Sequence, residues 1–399
     1  MDAFDPKAFV EERVEEIRRV VGGGRALVAA SGGVDSTTCA VLTHMAIGDN
    51  LVCVVLDHAF MRLGEPERVA EALSRPPLSL PVKLERAQER FLRALEGLRD
   101  AEEKRKAFRS VFYETLAEVA KREGCEYLVQ GTILADVIET KGGVKTQHNV
   151  LEQVGIGARE LYGFRVVEPL APLLKWQVRE VARYLKIPPE VSERQPFPGP
   201  GLLVRVVGEV RADKLAVLKR ATEVVEEELE PYRPSQYFAA ILDNEFMASP
   251  SVEALRALVA SRLGVGLKSV ALRLFSDRAT GVIEGVRKYG GVLAIKCLSG
   301  GRAYLPPLGA LLELQREVAE ADPSIVRVLY LVSGAEEGEG RYSIVIRAVE
   351  TGDFLTAQVA DVPWNCLVRA AERIMEACPS VSSVYYDVTP KPPATIEME

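Results

Sequence analysis

Histidine is scarce in this chain: only His44, His58 and His148 occur in 399 residues, well apart. That leaves no basis for a histidine-rich metal centre. Cysteine is scarce too. Cys39, Cys53, Cys125, Cys297, Cys366 and Cys378 form no CxxC pair and no short metal-ligand spacing, so they read as buried, reduced thiols of an intracellular protein. No apolar run approaches the roughly 18 residues that span a bilayer. The first twenty residues are acidic and amphipathic, with Val10, Val14, Ile17 and Val21 at helical spacing, and do not resemble a signal peptide. A cytoplasmic protein without a membrane partner is expected. Positive charge is also in deficit: 50 Lys and Arg against 57 Asp and Glu give a net charge of −7. Nucleic acid is therefore not an expected partner. Internal repeats and low-complexity tracts do not stand out.

What remains is an ordinary globular composition, 48% hydrophobic and 27% charged, long enough for two or three domains. The N-terminal half alternates strand and helix patterns. Ala26–Ala30 leads into a helical stretch from Val34, Leu51–Leu56 ends at Asp57, and Tyr127–Gln130 ends at Gly131. Asp100 reads as an N-cap, and Phe108, Val111, Phe112, Leu116 and Val119 mark one helical face. Phe164–Val167 and a helix from Lys175 follow. This alternation predicts an α/β domain with a parallel sheet covered on both faces. In such a domain ligands sit outside the carboxyl ends of the strands. The turns Ser31–Ser36, Asp57-His58 and Gln130-Gly131-Thr132 all fall there.

Prolines and glycines from Pro196 to Gly201 mark a boundary. The expected domains are 1–197 and 198–399. The second reads as α+β, with helices at about 213–229, 308–321 and 366–377 among strand-like runs at 269–274, 292–295, 326–332 and 342–348.

The chemistry sits in Ser31-Gly32-Gly33-Val34-Asp35-Ser36, followed by Thr37. Glycines let the backbone turn tightly and approach an anion without Cβ obstruction. Successive N–H groups and the positive end of the next helix then face that anion. The hydroxyls of Ser31, Ser36 and Thr37 add donors, and Asp35 suits Mg²⁺ held against phosphate oxygens. The loop lacks the Gly-Lys-Ser/Thr of a Walker A motif. A strand–helix connection that needs glycine for geometry alone is the plainer alternative, but six specified positions in this context argue against it.

The loop resembles that of the N-type ATP pyrophosphatases. The resemblance implies ATP bound through Ser31, Gly32, Gly33, Val34, Asp35, Ser36, Thr37, Asp57 and Gly131, and adenylation of a substrate oxygen. Further strings resemble the synthetase part of the GMP synthase family over nearly the whole chain. They are Leu56-Asp57-His58, Glu103-Lys104-Arg105-Lys106, Asp136-Val137-Ile138-Glu139, Lys145-Thr146-Gln147-His148-Asn149, Arg194 with Pro196–Leu202, and Lys391–Glu399. This resemblance implies xanthosine monophosphate (XMP) as the acceptor, adenylated at the purine 2-oxygen, and ammonia as the amine. It gives Lys145 and His148, on a lid, the task of neutralising charge at the α-phosphate. It gives Asp136 and Glu139 the task of positioning that lid or Mg²⁺. Arg194, Gln236, Asp353, Lys391, Ile396 and Glu397 fall at the XMP site, with Arg194 and Lys391 suited to phosphate and Glu397 to the purine edge. A homodimer through the C-terminal domain is implied as well.

Several positions depart from the family pattern. Gln147 replaces one of two lid histidines, Trp176 and Gln177 replace acidic residues, Phe354 replaces a glycine, and Ser383 replaces an arginine expected to reach the XMP phosphate. About sixty residues, 279–340, read as an inserted folded element. Only about 25 residues precede the ATP loop, and no cysteine is placed as a glutaminase nucleophile, so a separate glutaminase subunit is the expected ammonia source. A paralogue with another nucleotide or base as acceptor, and a nucleotide-binding regulatory pseudoenzyme, are the alternatives.

Overall fold

The structure is a computed structural model that describes residues 4–134, 136–137, 158–192, 197–283, 285–334, 340–352 and 355–399. Two compact units emerge: Met1–Ala94 with Arg105–Gly199, and Leu95–Lys104 with Pro200–Glu399.

In the first unit, β1 (Ala26–Ala29), β2 (Leu51–Asp57), β3 (Val82–Arg86), β4 (Tyr127–Val129) and β5 (Arg165–Val167) form a sheet in the order β3-β2-β1-β4-β5. Every described pairing in it is parallel. Side chains alternate between its faces, as a strand requires. Val28, Cys53, Val55 and Val129 join a core with helices Pro6–Val21, Val34–Ile47 and Lys175–Tyr184. Leu27, Val52, Val54 and Leu128 join a second core under helix Ala101–Glu123. The expected doubly covered parallel sheet is present. Chain order reverses at β1, whose neighbours are β2 and β4, and this reversal opens a crevice at their carboxyl ends. Asp100 caps the long helix by accepting from the Glu102 and Glu103 amides at 2.9 and 3.0 Å.

The second unit holds a mixed sheet. Its strands are β6 (Gln236–Asp243), β7 (Phe246–Met247), β8 (Val270–Phe275), β9 (Ala279–Ile283), β10 (Val286–Ser299), β11 (Arg302–Ala303), β12 (Ile325–Gly334), β13 (Tyr342–Glu350), β14 (Gln358–Val359) and β15 (Val381–Asp387). The main run is β6-β13-β15-β12-β10-β8. Pairings along it are antiparallel, parallel, antiparallel, parallel and antiparallel. Helix Leu308–Ala321 crosses from β10 to β12, and helix Trp364–Ala377 crosses from β13 to β15. β9 through β12 fill most of the stretch read as an insertion. After β15 the chain runs as a strap, 388–399, back along the unit: Thr280 N donates to Met398 O at 2.8 Å and Glu399 N to Val204 O at 3.0 Å. Among the described residues no helix is long and apolar enough to cross a membrane.

Candidate active site

The glycine loop leaves β1 and enters helix Val34–Ile47 at the point of strand reversal. Gly33 stands at the N-cap with no side-chain cap, so first-turn amides face outward without an intrahelical partner. Ser31 and Ser36 brace the turn: Ser31 N donates to Ser36 Oγ at 3.1 Å, and Ser36 Oγ donates to Gly33 O at 3.2 Å. Gly32 has φ +75°, and a Cβ there would lie 2.7 Å from Val69 Cγ2. Gly32→Ala is therefore expected to distort the loop by about 1–2 kcal/mol. Pyrophosphate release should fall while the melting temperature moves little; unchanged release would remove the need for glycine. Gly131, after β4, packs on the same loop, since a Cβ there would meet Asp35 C and Ser36 N at 3.1 Å.

Asp35 sits in the first turn of the helix. Lys175, at the start of helix Lys175–Tyr184, donates to its Oδ2 at 2.6 Å. Its Oδ1 is buried and has no hydrogen-bond partner. An oxygen of that kind, beside an anion-binding turn, fits a divalent cation that would fill its other positions with phosphate oxygens and water. Among the described residues no group of three His, Cys, Asp or Glu forms a self-sufficient metal cage, which suits a metal carried in with a phosphate. Lys175 is a site residue that the sequence reading used only as a landmark.

Asp57 ends β2 and is buried. It accepts from Ala59 N at 3.2 Å and is bonded by Gln88 Nε2. Thr132 Oγ1 donates to Glu168 Oε1 at 2.6 Å. Asp136 Oδ2 accepts from Ile133 N at 3.1 Å, fixing the turn after β4. Cys39 is fully buried and donates to Gln130 O at 3.4 Å. Burial, then Asp35 and Glu168, push its thiol well up, so it is no nucleophile. Glu139, Lys145, Gln147, His148, Arg194, Asp353 and Phe354 lie outside the described residues.

The described acceptor-side candidates, Gln236, Lys391, Ile396 and Glu397, belong to the second unit. Gln236 opens β6, buried and registered on Val349. Next to it a pocket of about 370 Å³ is lined by Ser235, Glu350, Thr351, Gly352, Ala357 and Gln358, among others. Lys391 exchanges backbone hydrogen bonds with Ala357 at 2.8 and 3.1 Å, which brings the strap to that pocket. Glu397 is held by both oxygens: Arg205 Nε and Nη2 donate at 2.9 Å each, with the guanidinium stacked 4.1 Å over Phe238. The strap is fixed from below by Arg347, which donates to the carbonyls of Thr389, Thr395 and Ile396 at 2.7, 3.0 and 3.0 Å. Arg327 Nη2 donates to Thr395 Oγ1 at 3.0 Å and to the Glu397 carbonyl. Both arginines pair with Asp387 Oδ2, at 2.7 and 2.9 Å, and all three side chains are 0% exposed. Arg205, Arg327, Arg347 and Asp387 escaped the sequence reading.

Both parts of the chain resemble known proteins. The PP-loop domain profile matches residues 6–188 and the GMP synthase C terminal domain profile matches 326–398. A glutamine-hydrolyzing GMP synthase subunit from Saccharolobus solfataricus is 43% identical over 398 residues, 99% of this chain and all of the relative. Its counterpart from Methanopyrus kandleri is 41% identical over 403 residues, again 99% of this chain and all of the relative. Among solved structures, an NMN synthetase from Francisella tularensis covers 50% of this chain and 78% of its own, at 18% identity and a TM-score of 0.38. With a glycine loop at the strand reversal, a pinned C-terminal strap and end-to-end likeness to these relatives, the chain belongs to the GMP synthase family of ATP pyrophosphatases.

Proposed function

We propose that the chain is the synthetase subunit of a two-subunit GMP synthase, a ligase forming a C–N bond in the cytoplasm. The end-to-end match to GMP synthase subunits carries the reading and favours it over a paralogue or a pseudoenzyme. ATP lies with its β- and γ-phosphates on the Ser31–Thr37 loop, where the outward amides and the helix N-terminus meet the charge. Mg²⁺, held through Asp35 Oδ1, would neutralise the phosphate oxygens and so favour departure of pyrophosphate. The purine 2-oxygen of XMP attacks the α-phosphorus and the bond to the β-phosphate breaks. Lys145 and His148 are assigned the charge that develops there. Ammonia from a separate glutaminase then attacks purine C2, the C2–O bond breaks and AMP leaves, giving GMP. Gln236, Lys391, Ile396 and Glu397, with Arg194 and Asp353, are the proposed acceptor site. Arg205, donating to both Glu397 oxygens, orients the carboxylate for recognition of a purine N–H.

Incubation of the chain with ATP, Mg²⁺, XMP and ammonium tests the reading. GMP and pyrophosphate are expected in equal amounts, and neither without XMP. Pyrophosphate–ATP exchange indifferent to XMP would move the acceptor elsewhere; ATP binding without turnover would make the chain a regulator.

A further inference from the structure

The second unit contains the same structure twice. Strand order and polarity along β6-β13-β15-β12-β10-β8 read the same from either end. The central antiparallel pair fixes the axis: Tyr330 faces Tyr386, Leu329 faces Asp387 and Leu331 faces Tyr385. On either side the parallel pairs share one register and one irregularity. Gly291, Val292 and Ile295 face Ile325, Arg327 and Tyr330, with a bulge after Gly291. Tyr342, Ser343 and Ile346 face Val381, Ser383 and Tyr386, with a bulge after Tyr342. The crossover helices match too. Each has 14 residues, starts after an extended proline (Pro307 at φ −57°, Pro363 at φ −58°) and leads through Pro323-Ser324 or Pro379-Ser380 into its strand. Helix Pro250–Leu263 packs on β8 and on the first crossover helix, as helix Ala212–Leu229 packs on β6 and on the second.

We infer that residues 250–334 are an internal copy of the surrounding fold, and that Arg327 of this copy positions the acceptor strap of the other in place of an arginine at 383. The two halves meet as the subunits of a two-fold dimer would, within one chain. Register makes Arg327 equivalent to Ser383, Lys296 to Arg347, and Leu331 to Asp387. One of the two related sites holds Arg327, Arg347 and Asp387 beneath the strap. At the other, Lys296 donates to Ser383 Oγ at 3.1 Å, and the position of the acid is taken by Leu331. Ser383 thus faces the site that has lost its acid, and its lack of an arginine costs the strap nothing. The homodimer implied by resemblance is replaced by a dimer-like sheet inside one chain, with one acceptor site.

The role given to Arg327 rests on reading the strap as the XMP site; the duplication does not. The test uses the full chain with ammonium as nitrogen donor. Arg327→Gln is expected to raise KM for XMP about tenfold or more while KM for ATP stays put, and to speed amide exchange at Ala394–Glu399. Arg327→Lys, which folds more readily because it keeps the charge, should show part of both effects. Ser383→Ala, at the other site, should leave strap exchange and KM for XMP within about twofold of the parent. Sedimentation should give the mass of one chain, with specific activity constant on dilution. Unchanged strap exchange and KM in both Arg327 variants, or a Ser383→Ala effect equal to theirs, would overturn the assignment. A dimer whose activity falls on dilution would overturn the one-chain site. If XMP is not the acceptor, the parent makes no GMP, yet strap exchange still responds to Arg327→Gln.

Discussion

Asp35→Asn will lower pyrophosphate release by roughly a thousandfold or more, about 4 kcal/mol of lost transition-state stabilisation, and will leave the fold intact. The amide keeps the size of the carboxylate but not its charge. A divalent cation at the unpartnered Oδ1 would lose a charged protein ligand. Lys175 loses its partner at Oδ2, yet the side chains of this pair are 41% and 29% exposed. A pair so wet contributes about 1 kcal/mol or less to stability. Activity and melting temperature should therefore separate cleanly. Retained turnover would remove Asp35 from the reaction, and a large drop in melting temperature would make it a structural residue.

Asp387→Leu will show the opposite separation, a loss of stability measurable without any substrate. Asp387, Arg327 and Arg347 are all fully buried, and leucine already stands at the related position 331. The substitution leaves two arginines uncompensated in the core, at a cost of about 3–5 kcal/mol. Burial by itself raises the Asp387 carboxyl, but Arg347, Arg327 and the hydrogen bonds from Arg327 and Thr389 outweigh it and hold the group below its ordinary value. A carboxyl depressed in the folded state contributes stability above the unfolded value of about 3.9, and loses it as pH falls through the lower folded one. The gap between parent and variant in urea midpoint should thus stay level from about pH 8 to 5 and close only in strong acid. A cost under about 1 kcal/mol would show that the arginines find other partners.

Local grammar made the ATP loop readable from sequence, because six neighbouring residues and a strand–helix context specify it. The rule that parallel strands place their ligands at one end also brought Ser31, Asp57 and Gly131 to one crevice before any coordinates. Edge strand β3 escaped because Val82–Arg86 carries only half-buried and exposed positions, too weak a pattern to see. Contacts made by long-range pairing were hidden for another reason. Lys175 meets Asp35 from 140 positions away, and Arg327 meets Asp387 from 60. The repeat was hidden because its copies keep few identical residues, such as Leu311 with Leu367 and Tyr330 with Tyr386. One copy also interrupts the other between β6 and β13, so no period runs along the chain.

Identical subunits around a two-fold axis live under a strict rule: each substitution occurs at both sites, to the benefit of one and the detriment of the other. Joining the halves in one polypeptide lifts that rule. An arginine can be kept at 327 and discarded at 383, and an acid kept at 387 and exchanged for leucine at 331. Tyr330 and Tyr386, which face each other on the axis, remain alike. Away from the axis, one half has become free to specialise as scaffold while the other carries the site.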